Sequence, residues 1–456
     1  MFAFLALTLL TEPAEIVKAE QAEYQFWQKR GFEQADAYSR VGVRAEDPYM
    51  QIVYDPVDFE NGVYGLYKRI LLKRQYCSLI PVDEQGNVYL TLIQEFTGER
   101  AVRAPLSKEV GDEFLGNLHL ETGMLNGTRP CYRKDICGVE DLPPLPKDAI
   151  GYLKVSPGLL RKLAREQKFE GVICKDASIY LGLLQEAIGD GGDTFEITFK
   201  KPSVLMPKAI LEDDGRIETY IEFLNLHPKL FDPENGHLLR DPEEILLAES
   251  YERERFIQEF GEANIQQEDY RAGVIYQDPR LTWVRFPMRF ADGSLGLKNE
   301  IIQTPILKMQ NHPGAAIVAQ DKEGKFLFLG IYRVSTHEYE AECAKGAREL
   351  GESFAECAAR EAEEELRRPI HSIQYLGLSH TGLDISTLET YPVYLAKVGE
   401  FDDTIPVDPS EGVEGVIPLV LSEIKDLYKR GSLELNGIEY TFADPLFLFF
   451  LFSDHS

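Results

Sequence analysis

The sequence predicts a mixed α/β fold in which two related domains follow one another along a chain of 456 residues. The main observation is an internal repeat. Residues 46–66 read EDPYMQIVYDPVDFENGVYGL, and residues 277–297 read QDPRLTWVRFPMRFADGSLGL, at a constant offset of 231 positions without a gap. The other two observations are a shared β-hairpin pattern and a shared pair of final helices. Together the three indicate a duplicated α/β unit.

The hairpin pattern follows the first repeated segment in each copy. Residues 78–93 (SLIPVDEQGNVYLTLI) and 316–331 (AIVAQDKEGKFLFLGI) both contain a β-rich run, an Asp-x-x-Gly turn and a second β-rich run. This arrangement is typical of two antiparallel strands joined by a tight turn. Each copy is therefore predicted to contain a hairpin at the same place.

The two copies also end alike. Residues 159–184 and 423–451 each predict an amphipathic helix, a short polar or strand-like stretch and a final apolar helix. Asp176 and Asp444 precede the two apolar helices and are predicted to cap their N-termini, because a carboxylate can accept the unpaired N–H groups of a first turn.

The repeat divides the chain into four parts. They are an N-terminal apolar segment, a first copy, a linking segment with strands, and a second copy, which cover residues 1–20, 21–187, 188–255 and 256–456. Within the linking segment, residues 207–224 (PKAILEDDGRIETYIEFL) are interpreted as strand-like. The apolar start is too short to span a bilayer, which takes about 20 residues, and is expected to dock on the body of the protein.

Charge and composition limit the partners of the protein. The 76 acidic and 48 basic residues give a formal net charge of -28. Proteins that bind nucleic acid normally carry a basic stripe, which is missing here, so nucleic acid is not expected as a partner. No stretch of the sequence approaches the length that spans a membrane, so a membrane is not expected as a partner either. The cysteines form no Cys-x-x-Cys pair, which favours reduced thiols and a cytoplasmic location. They are Cys77, Cys131, Cys137, Cys174, Cys343 and Cys357.

The second copy contains about one helix more than the first, within residues 340–370. Ser353 and Glu356 form a capping box that predicts the start of this helix. Arg367, Arg368 and Pro369 predict its end. A core-facing stripe recurs at every fourth position. Its members are Phe354, Ala358, Ala362 and Leu366.

Three carboxylates share the opposite face of the predicted helix. Glu361, Glu364 and Glu365 have the spacing i, i+3, i+4, which places like charges next to one another. Their repulsion needs compensation, and a hard divalent cation such as Mg²⁺ binds carboxylate oxygens. In so acidic a chain, the alternative for the helix alone is a solvated acidic face.

The spacing upstream of the helix favours the metal site. Residues 346–365 follow the pattern Gly-x5-Glu-x7-Arg-Glu-Ala-x-Glu-Glu. This pattern resembles the signature of the Nudix hydrolases, Gly-x5-Glu-x7-Arg-Glu-U-x-Glu-Glu-x-Gly-U, where U is aliphatic. The sequence departs from it where Arg367 replaces the last glycine and Arg368 the final aliphatic residue. Residues 342–346 and 380–397 also resemble segments of ADP-ribose pyrophosphatases.

The resemblance implies two tandem α/β/α sandwich domains with mixed central sheets, and a Mg²⁺ site in the second, with Mn²⁺ as the alternative ion. It implies metal ligands at the Lys345 carbonyl and at Glu352, Glu361, Glu364 and Glu365. The implied reaction is hydrolysis of a nucleoside diphosphate linked to a group X, with ADP-ribose or a nucleotide sugar as the first candidates.

Further roles follow from the same resemblance. Glu389 is the candidate general base, and Glu364 is the fallback. Arg333 and Glu342 are candidate substrate contacts, although Arg333 has pairing with an acidic neighbour as an equal alternative. Gly346 and Arg360 are expected to be structural.

The first copy lacks the pattern and is interpreted as a degenerate Nudix-like domain. A homodimeric arrangement is common among ADP-ribose pyrophosphatases, so the two copies are expected to form an intramolecular pseudo-dimer, and a homo-oligomer is compatible with it. The alternative function is a non-catalytic module that senses nucleotides. A Nudix-fold isomerase is a third alternative, but Cys343 and Cys357 stand in no matching motif.

Overall fold

The computed structural model describes most of the chain, including both copies of the repeat. The described ranges are 8–29, 39–58, 64–73, 76–94, 100–119, 128–146, 149–174, 176–199, 207, 210–231, 237–290, 293–309, 314–333, 338–349, 351–380, 386–387, 390–405 and 413–452.

Nine α-helices lie in these ranges. They are α1 Pro13–Lys29, α2 Pro157–Glu166, α3 Ala177–Leu184, α4 Arg216–Leu226, α5 Pro242–Phe260, α6 Thr304–Met309, α7 Phe354–Leu366, α8 Leu421–Arg430 and α9 Pro445–Phe452. None of the helices in the described ranges has the length and apolar character needed to cross a membrane.

The first half contains a small sheet and a large sheet. The small sheet consists of β1 Thr8–Leu9, β2 Gly42–Glu46, β3 Met50–Asp58 and β4 Tyr64–Leu72. The large sheet consists of β5 Cys77–Val82, β6 Val88–Gln94, β7 Arg100–Arg103, β8 Leu106–Ser107, β9 Glu113–His119, β10 Thr128–Asp135, β11 Ala149–Val155, β12 Lys168–Phe169, β13 Val172–Cys174 and β14 Phe195–Phe199.

The second half repeats this division. Its small sheet consists of β15 Gly273–Gln277, β16 Leu281–Arg289, β17 Leu295–Gln303 and β23 Ser386–Thr387. Its large sheet consists of β18 Gly314–Gln320, β19 Phe326–Arg333, β20 Glu338–Glu342, β21 Ala344–Ala347, β22 Ile370–His380, β24 Thr390–Val398, β25 Val413–Leu419, β26 Ser432–Leu435 and β27 Ile438–Thr441.

The offset of the sequence repeat is reproduced in the two small sheets. Strands β2–β3–β4 and β15–β16–β17 form antiparallel meanders whose paired positions differ by the same 231 residues. Both also contain a register shift at equivalent positions, between Val43 and Ala45 and between Val274 and Tyr276. A bulge is a specific local feature, so its recurrence supports the common origin that the repeat predicted.

The two large sheets have the same connectivity. The order β12-β13-β7-β6-β5-β10-β9 corresponds to β26-β27-β20-β19-β18-β24-β22. In each sheet the hairpin strands are antiparallel, and the first of them pairs in parallel with β10 or β24. The predicted Asp-x-x-Gly turns are present, since the N–H of Gly86 donates to the carbonyl of Asp83 and that of Gly324 to Asp321.

The final helices are capped as predicted. The Asp176 carboxylate accepts the N–H of Ser178 at 2.8 Å, and that of Asp444 accepts the N–H of Leu446 at 2.7 Å. The other carboxylate oxygen of each aspartate accepts a backbone N–H from the large sheet. The donor is Ala104, directly after β7, for Asp176, and Cys343, directly after β20, for Asp444. Each cap therefore also ties its helix to the large sheet.

The copies differ where the sequence predicts additional material. Helix α7 lies between β21 and β22, whereas only residues 108–112 separate β8 from β9. Strand β14 is an addition in the first copy, where it pairs with β11 at the edge of the sheet. The two copies therefore share one sheet topology, and the second contains the acidic helix.

One expectation for the linking segment needs correction. The strand-like interpretation of residues 207–224 is wrong for residues 216–224, which belong to helix α4. Its apolar residues recur at helical spacing and are buried at Ile217, Tyr220 and Leu224, so the aromatic and β-branched composition was misleading. The predicted start of the second copy, at residue 256, falls inside helix α5.

The two copies are in direct contact. The largest hydrophobic core combines buried residues from both large sheets, and Tyr180 of α3 stacks on Phe452 of α9 at a centroid distance of 5.8 Å. Between the small sheets, the hydroxyl groups of Tyr54 and Tyr276 lie 2.9 Å apart. The copies therefore share a core as well as a polar contact.

The polar contact between the small sheets is reciprocal. In each repeated Asp-Pro turn, one carboxylate oxygen accepts backbone N–H groups of its own turn. The other oxygen of Asp47 accepts from Arg285 at 3.2 Å and from Asn299 at 3.4 Å, both in the second copy. The other oxygen of Asp278 accepts from Lys68 of the first copy at 2.5 Å. We refer to these contacts of Asp47 and Asp278 as the Asp-Pro clasp.

Candidate metal and substrate site

Helix α7 begins and faces the core as the sequence predicts. The Ser353 hydroxyl accepts the N–H of Glu356 at 3.2 Å, and the Glu356 carboxylate accepts the N–H of Ser353 at 2.8 Å. Ala358, Ala362 and Leu366 are fully buried against the second large sheet. The capping box and the apolar stripe therefore fix both the start of the helix and its rotation, which leaves the glutamates on the other side.

Glu361 lies against the backbone of Gly346. A Cβ atom at position 346 would be only 1.9 Å from Cδ of Glu361. Residue Glu361 is almost completely buried, at 5% exposure. The glycine of the motif is therefore required by a close approach between β21 and the helix, because any side chain would displace the carboxylate.

Glu365 approaches the residue next to this glycine. Its carboxylate accepts the backbone N–H of Lys345 at 3.0 Å. Lys345 and Gly346 belong to β21, which pairs with β18 through Ala315 and Ala316. Two carboxylates of the helix thus converge on two consecutive backbone positions of one strand.

Arg360 lies among the other carboxylates. Its guanidinium group donates to Glu352 at 2.9 Å, to Glu361 at 2.7 Å and to Glu364 at 3.1 Å. The hydrogen bond from Arg360 is the main reason why the pKa of Glu352 lies below its usual value. Arg360 therefore supplies the compensating charge that the clustered glutamates need.

A second ion-pair group lies at the junction of β20 and β21. The Glu342 carboxylate accepts two bonds of 2.7 Å from Arg333 and one of 2.5 Å from the Lys345 ammonium. Its side chain is fully buried, whereas those of Arg333 and Lys345 are 17% and 16% exposed. Burial opposes the charged form of Glu342, but the two cations outweigh it and hold its pKa well below the usual value.

Residues 310–431 match the family model of the NUDIX domain. The chain contains a Nudix domain. Two solved structures are similar, a crystal structure of an ADP compounds hydrolase and a NUDIX hydrolase from Nitrosomonas europaea. Their sequence identities to this chain are 20% and 21%, and their TM-scores are 0.26 and 0.21. They cover 34% and 26% of this chain, and 79% and 78% of their own chains. A search of curated proteins gave no match.

The matched residues of the Nudix domain lie within the second copy. They include helix α7 and both strands that approach its glutamates. The first copy shares the topology of the large sheet but not helix α7. Its interpretation as a degenerate Nudix-like domain stays a prediction.

The end of the Nudix helix explains how an arginine replaces the motif glycine. Arg367 adopts the left-handed conformation, with φ 53° and ψ 48°, that glycine favours at this position. Its guanidinium group donates to the carbonyl groups of Asp403 at 2.7 Å and Ile405 at 3.2 Å, and lies over the ring of Phe401. The side-chain contacts offset the unfavourable backbone conformation and keep the helix end in place.

The donor set of the Nudix domain is suited to Mg²⁺. Glu352, Glu361, Glu364 and Glu365 supply carboxylate oxygens within one small region, and hard cations prefer such ligands. In the described residues, no three acidic, His or Cys side chains are arranged so that they hold an ion. Three of these carboxylates face Arg360 instead. Metal binding would therefore need a rearrangement of Arg360 or of the exposed Glu364.

Not all predicted site residues are brought together in this way. Glu389 lies outside the described residues, and its role as a base stays a prediction. Arg333 pairs with Glu342, which is the alternative that the sequence left open. Glu342 is fully buried, and its carboxylate fixes the positions of the Arg333 and Lys345 side chains.

Proposed function

We propose that the Nudix domain of this chain is a divalent-cation-dependent pyrophosphohydrolase, which cleaves the diphosphate of a nucleoside diphosphate linked to X. The observation that carries the proposal is the convergence of Glu361 on Gly346 and of Glu365 on Lys345. This convergence concentrates carboxylates at strand β21, which the core of the domain holds in place. A solvated acidic face would not need a buried glutamate.

The proposed metal ligands are Glu352, Glu361, Glu364, Glu365 and the carbonyl of Lys345. Bound Mg²⁺ or Mn²⁺ would polarise the diphosphate and lower the pKa of a water molecule. The protein residues position these groups: β21 supplies the carbonyl, and Arg360 orients the carboxylates that face it. Glu389 is the proposed general base, with Glu364 as the fallback.

ADP-ribose or a nucleotide sugar is the proposed substrate. The proposal rests on the resemblance of residues 342–346 and 380–397 to ADP-ribose pyrophosphatases, since neither the fold nor the metal ligands select the group X. Functions are determined by sites rather than by folds, so the substrate must be identified by direct assay.

We also propose that the two copies act as an intramolecular pseudo-dimer. The shared core, the stacked Tyr180 and Phe452, and the Asp-Pro clasp support this arrangement. Tyr67 of the first copy lies close enough to Arg333 of the Nudix domain to influence its pKa. The first copy would then help to shape the site without catalysing a reaction itself.

The hydrolase proposal is tested by an assay of phosphate-bond cleavage on ADP-ribose, nucleotide sugars and dinucleotides with Mg²⁺ or Mn²⁺. We expect Glu365→Gln to lower kcat by at least about a hundredfold. Glu363→Gln is the matched control on the same helix, because position 363 is a variable position of the motif and its side chain accepts the N–H of Ile370. Wild-type protein that binds nucleoside diphosphates but cleaves none would support the sensing alternative.

A further inference from the structure

Asp444 contacts the point at which the chain crosses between two pairs of strands in the second large sheet. Strand β20 pairs with β19, whereas β21 pairs with β18, and Cys343 is the residue between them. One oxygen of the Asp444 carboxylate accepts the N–H of Cys343 at 2.6 Å. The other oxygen accepts two N–H groups of the first turn of helix α9. One fully buried side chain therefore connects this crossover to a helix.

The crossover determines where strand β21 presents the residues that receive the glutamates of helix α7. The N–H of Lys345 donates to Glu365 at 3.0 Å, and Gly346 leaves the space that the Glu361 carboxylate occupies. Successive residues of a strand point to opposite faces of the sheet. A shift of β21 by one residue would therefore bring a residue with a side chain to the place of the glycine.

The core holds Asp444 itself in place. Helix α9 consists of apolar residues, and residues 445–450 are buried, most of them in the core that both copies share. The hydroxyl group of Tyr428 in α8 donates to the backbone carbonyl of Asp444 at 2.5 Å. A carboxylate fixed in this way has little freedom to move, so the residue that donates to it is fixed as well.

We propose that Asp444 is a positioning residue for the metal site of the Nudix domain, because it holds the crossover and thereby the register of β21 against Glu361 and Glu365. This inference rests on the proposed function, in which these two glutamates bind a divalent cation. It adds a second role to the helix cap, since capping uses only one of the two carboxylate oxygens.

The first copy contains the same contact without the acidic helix. Asp176 accepts the N–H of Ala104 at 2.7 Å, and Ala104 follows β7 as Cys343 follows β20. Ser107 pairs with β5 at the position that the motif glycine occupies on β18. Only residues 108–112, which form no helix, lie between β8 and β9. Asp176 therefore provides a matched control for the structural part of the role of Asp444.

The test replaces each aspartate with serine and measures the affinity of the full chain for Mn²⁺ by calorimetry. Serine is about as good an N-cap as aspartate, but its single oxygen cannot also accept the N–H group at the crossover. We expect Asp444→Ser to weaken Mn²⁺ binding by about tenfold or more, as is usual when a residue that orients metal ligands is replaced. Asp176→Ser should retain the wild-type affinity.

The outcomes separate this inference from the proposed function. Wild-type affinity in Asp444→Ser, or an equal loss in both serine variants, would overturn the role of Asp444 and leave the hydrolase proposal intact. A wild-type protein without affinity for Mn²⁺ would overturn both.

Thermal unfolding of each variant identifies one that does not fold. In that event the threonine variants Asp444→Thr and Asp176→Thr replace the serine variants. Threonine also caps a helix through its hydroxyl group, and its methyl group fills part of the space that the second carboxylate oxygen leaves. The threonine variants are judged by the same results.

Discussion

The contact between Gly346 and Glu361 connects the sequence motif to its chemistry. The resemblance to the Nudix signature implied that Gly346 is structural, and in the structure the Glu361 carboxylate occupies the space that a Cβ atom of residue 346 would need. The obstructing group is the end of a flexible side chain rather than backbone. A side chain at position 346 would therefore displace the carboxylate more readily than the strand.

We expect Gly346→Ala to affect function far more than stability. Displacement of Glu361 should cost about 1–2 kcal/mol of folding free energy, as in other cases of local overpacking. Misplacement of a metal ligand by about 1 Å should lower kcat/KM by about a hundredfold. Chemical denaturation and steady-state kinetics measure the two effects. A variant that unfolds without any specific loss of activity per folded molecule would contradict this expectation.

The buried Glu342 gives a pH-dependent prediction. Its removal in Glu342→Gln leaves Arg333 and Lys345 without their carboxylate, which should cost about 3–5 kcal/mol at pH 7. Because the folded-state pKa of Glu342 is depressed, its stabilisation is fully present above the unfolded value of about 4.3. It is lost as the pH falls through the lower folded-state value.

Urea denaturation of wild type and Glu342→Gln between pH 7 and pH 3 tests this sign. The difference in free energy of unfolding should be constant down to about pH 5 and then shrink. Glu434→Gln, an exposed position on β26, provides the control. A difference that grows on acidification would contradict the assignment of Glu342 as an anion.

At the scale of elements, helix α7 is defined by two different kinds of terminus. The Ser353–Glu356 capping box is a local motif, and the sequence predicted it correctly. The C-terminus depends on Arg367, whose backbone is left-handed and whose side chain reaches the carbonyl groups of residues 403 and 405. The sequence identified the missing glycine but not the segment that compensates for it.

Two substitutions separate the backbone and side-chain contributions of Arg367. Arg367→Ala keeps the left-handed conformation and loses the hydrogen bonds, and should destabilise the protein by about 1–2 kcal/mol. Arg367→Gly loses the same bonds but relieves the backbone, and should be about 1 kcal/mol more stable than the alanine variant. Thermal unfolding of the two variants measures this order, and the reverse order would exclude backbone strain at this position.

At the scale of the whole molecule, the two copies contact each other reciprocally, because each donates a hydrogen bond to the Asp-Pro turn of the other. The Asp-Pro pair that recurs in the sequence forms the Asp-Pro clasp. In it, Asp47 and Asp278 each accept a hydrogen bond from a basic side chain of the other copy. The two cations, Arg285 and Lys68, do not occupy equivalent positions of the repeat. Each half of the clasp is therefore complete only when both copies are present.

We expect Lys68→Met to destabilise the whole chain by about 3–5 kcal/mol, because Asp278 remains buried without the ammonium group of Lys68. The double variant Lys68→Met/Asp278→Asn should recover much of this loss. Burial raises the pKa of Asp278 to about 6, so folding favours its protonated form. The destabilisation in Lys68→Met should consequently be larger at pH 8 than at pH 5.

Denaturation of the single and double variants at both pH values measures the coupling. Additive effects of the two substitutions would show that the Lys68–Asp278 contact contributes no interaction energy. That result would remove the clasp from the support for a pseudo-dimer.

The sequence by itself determined the features that depend on local spacing. These are the duplicated hairpins, the capped final helices, the additional helix of the second copy and its row of glutamates. Each is encoded within a few turns or strands, where hydrophobic period and capping residues act directly. The helical period of Arg216–Leu226 was also local, but its aromatic and β-branched residues led to a wrong interpretation.

The tertiary structure decided which of these groups become buried and with what they pair. Glu342 and Glu361 look like any other glutamates in the sequence, but the packing of β20, β21 and α7 buries both. The Asp-Pro clasp joins residues that are more than 200 positions apart, such as Lys68 and Asp278. Burial and ion pairing depend on how distant segments meet in space, and local spacing contains no record of those distances.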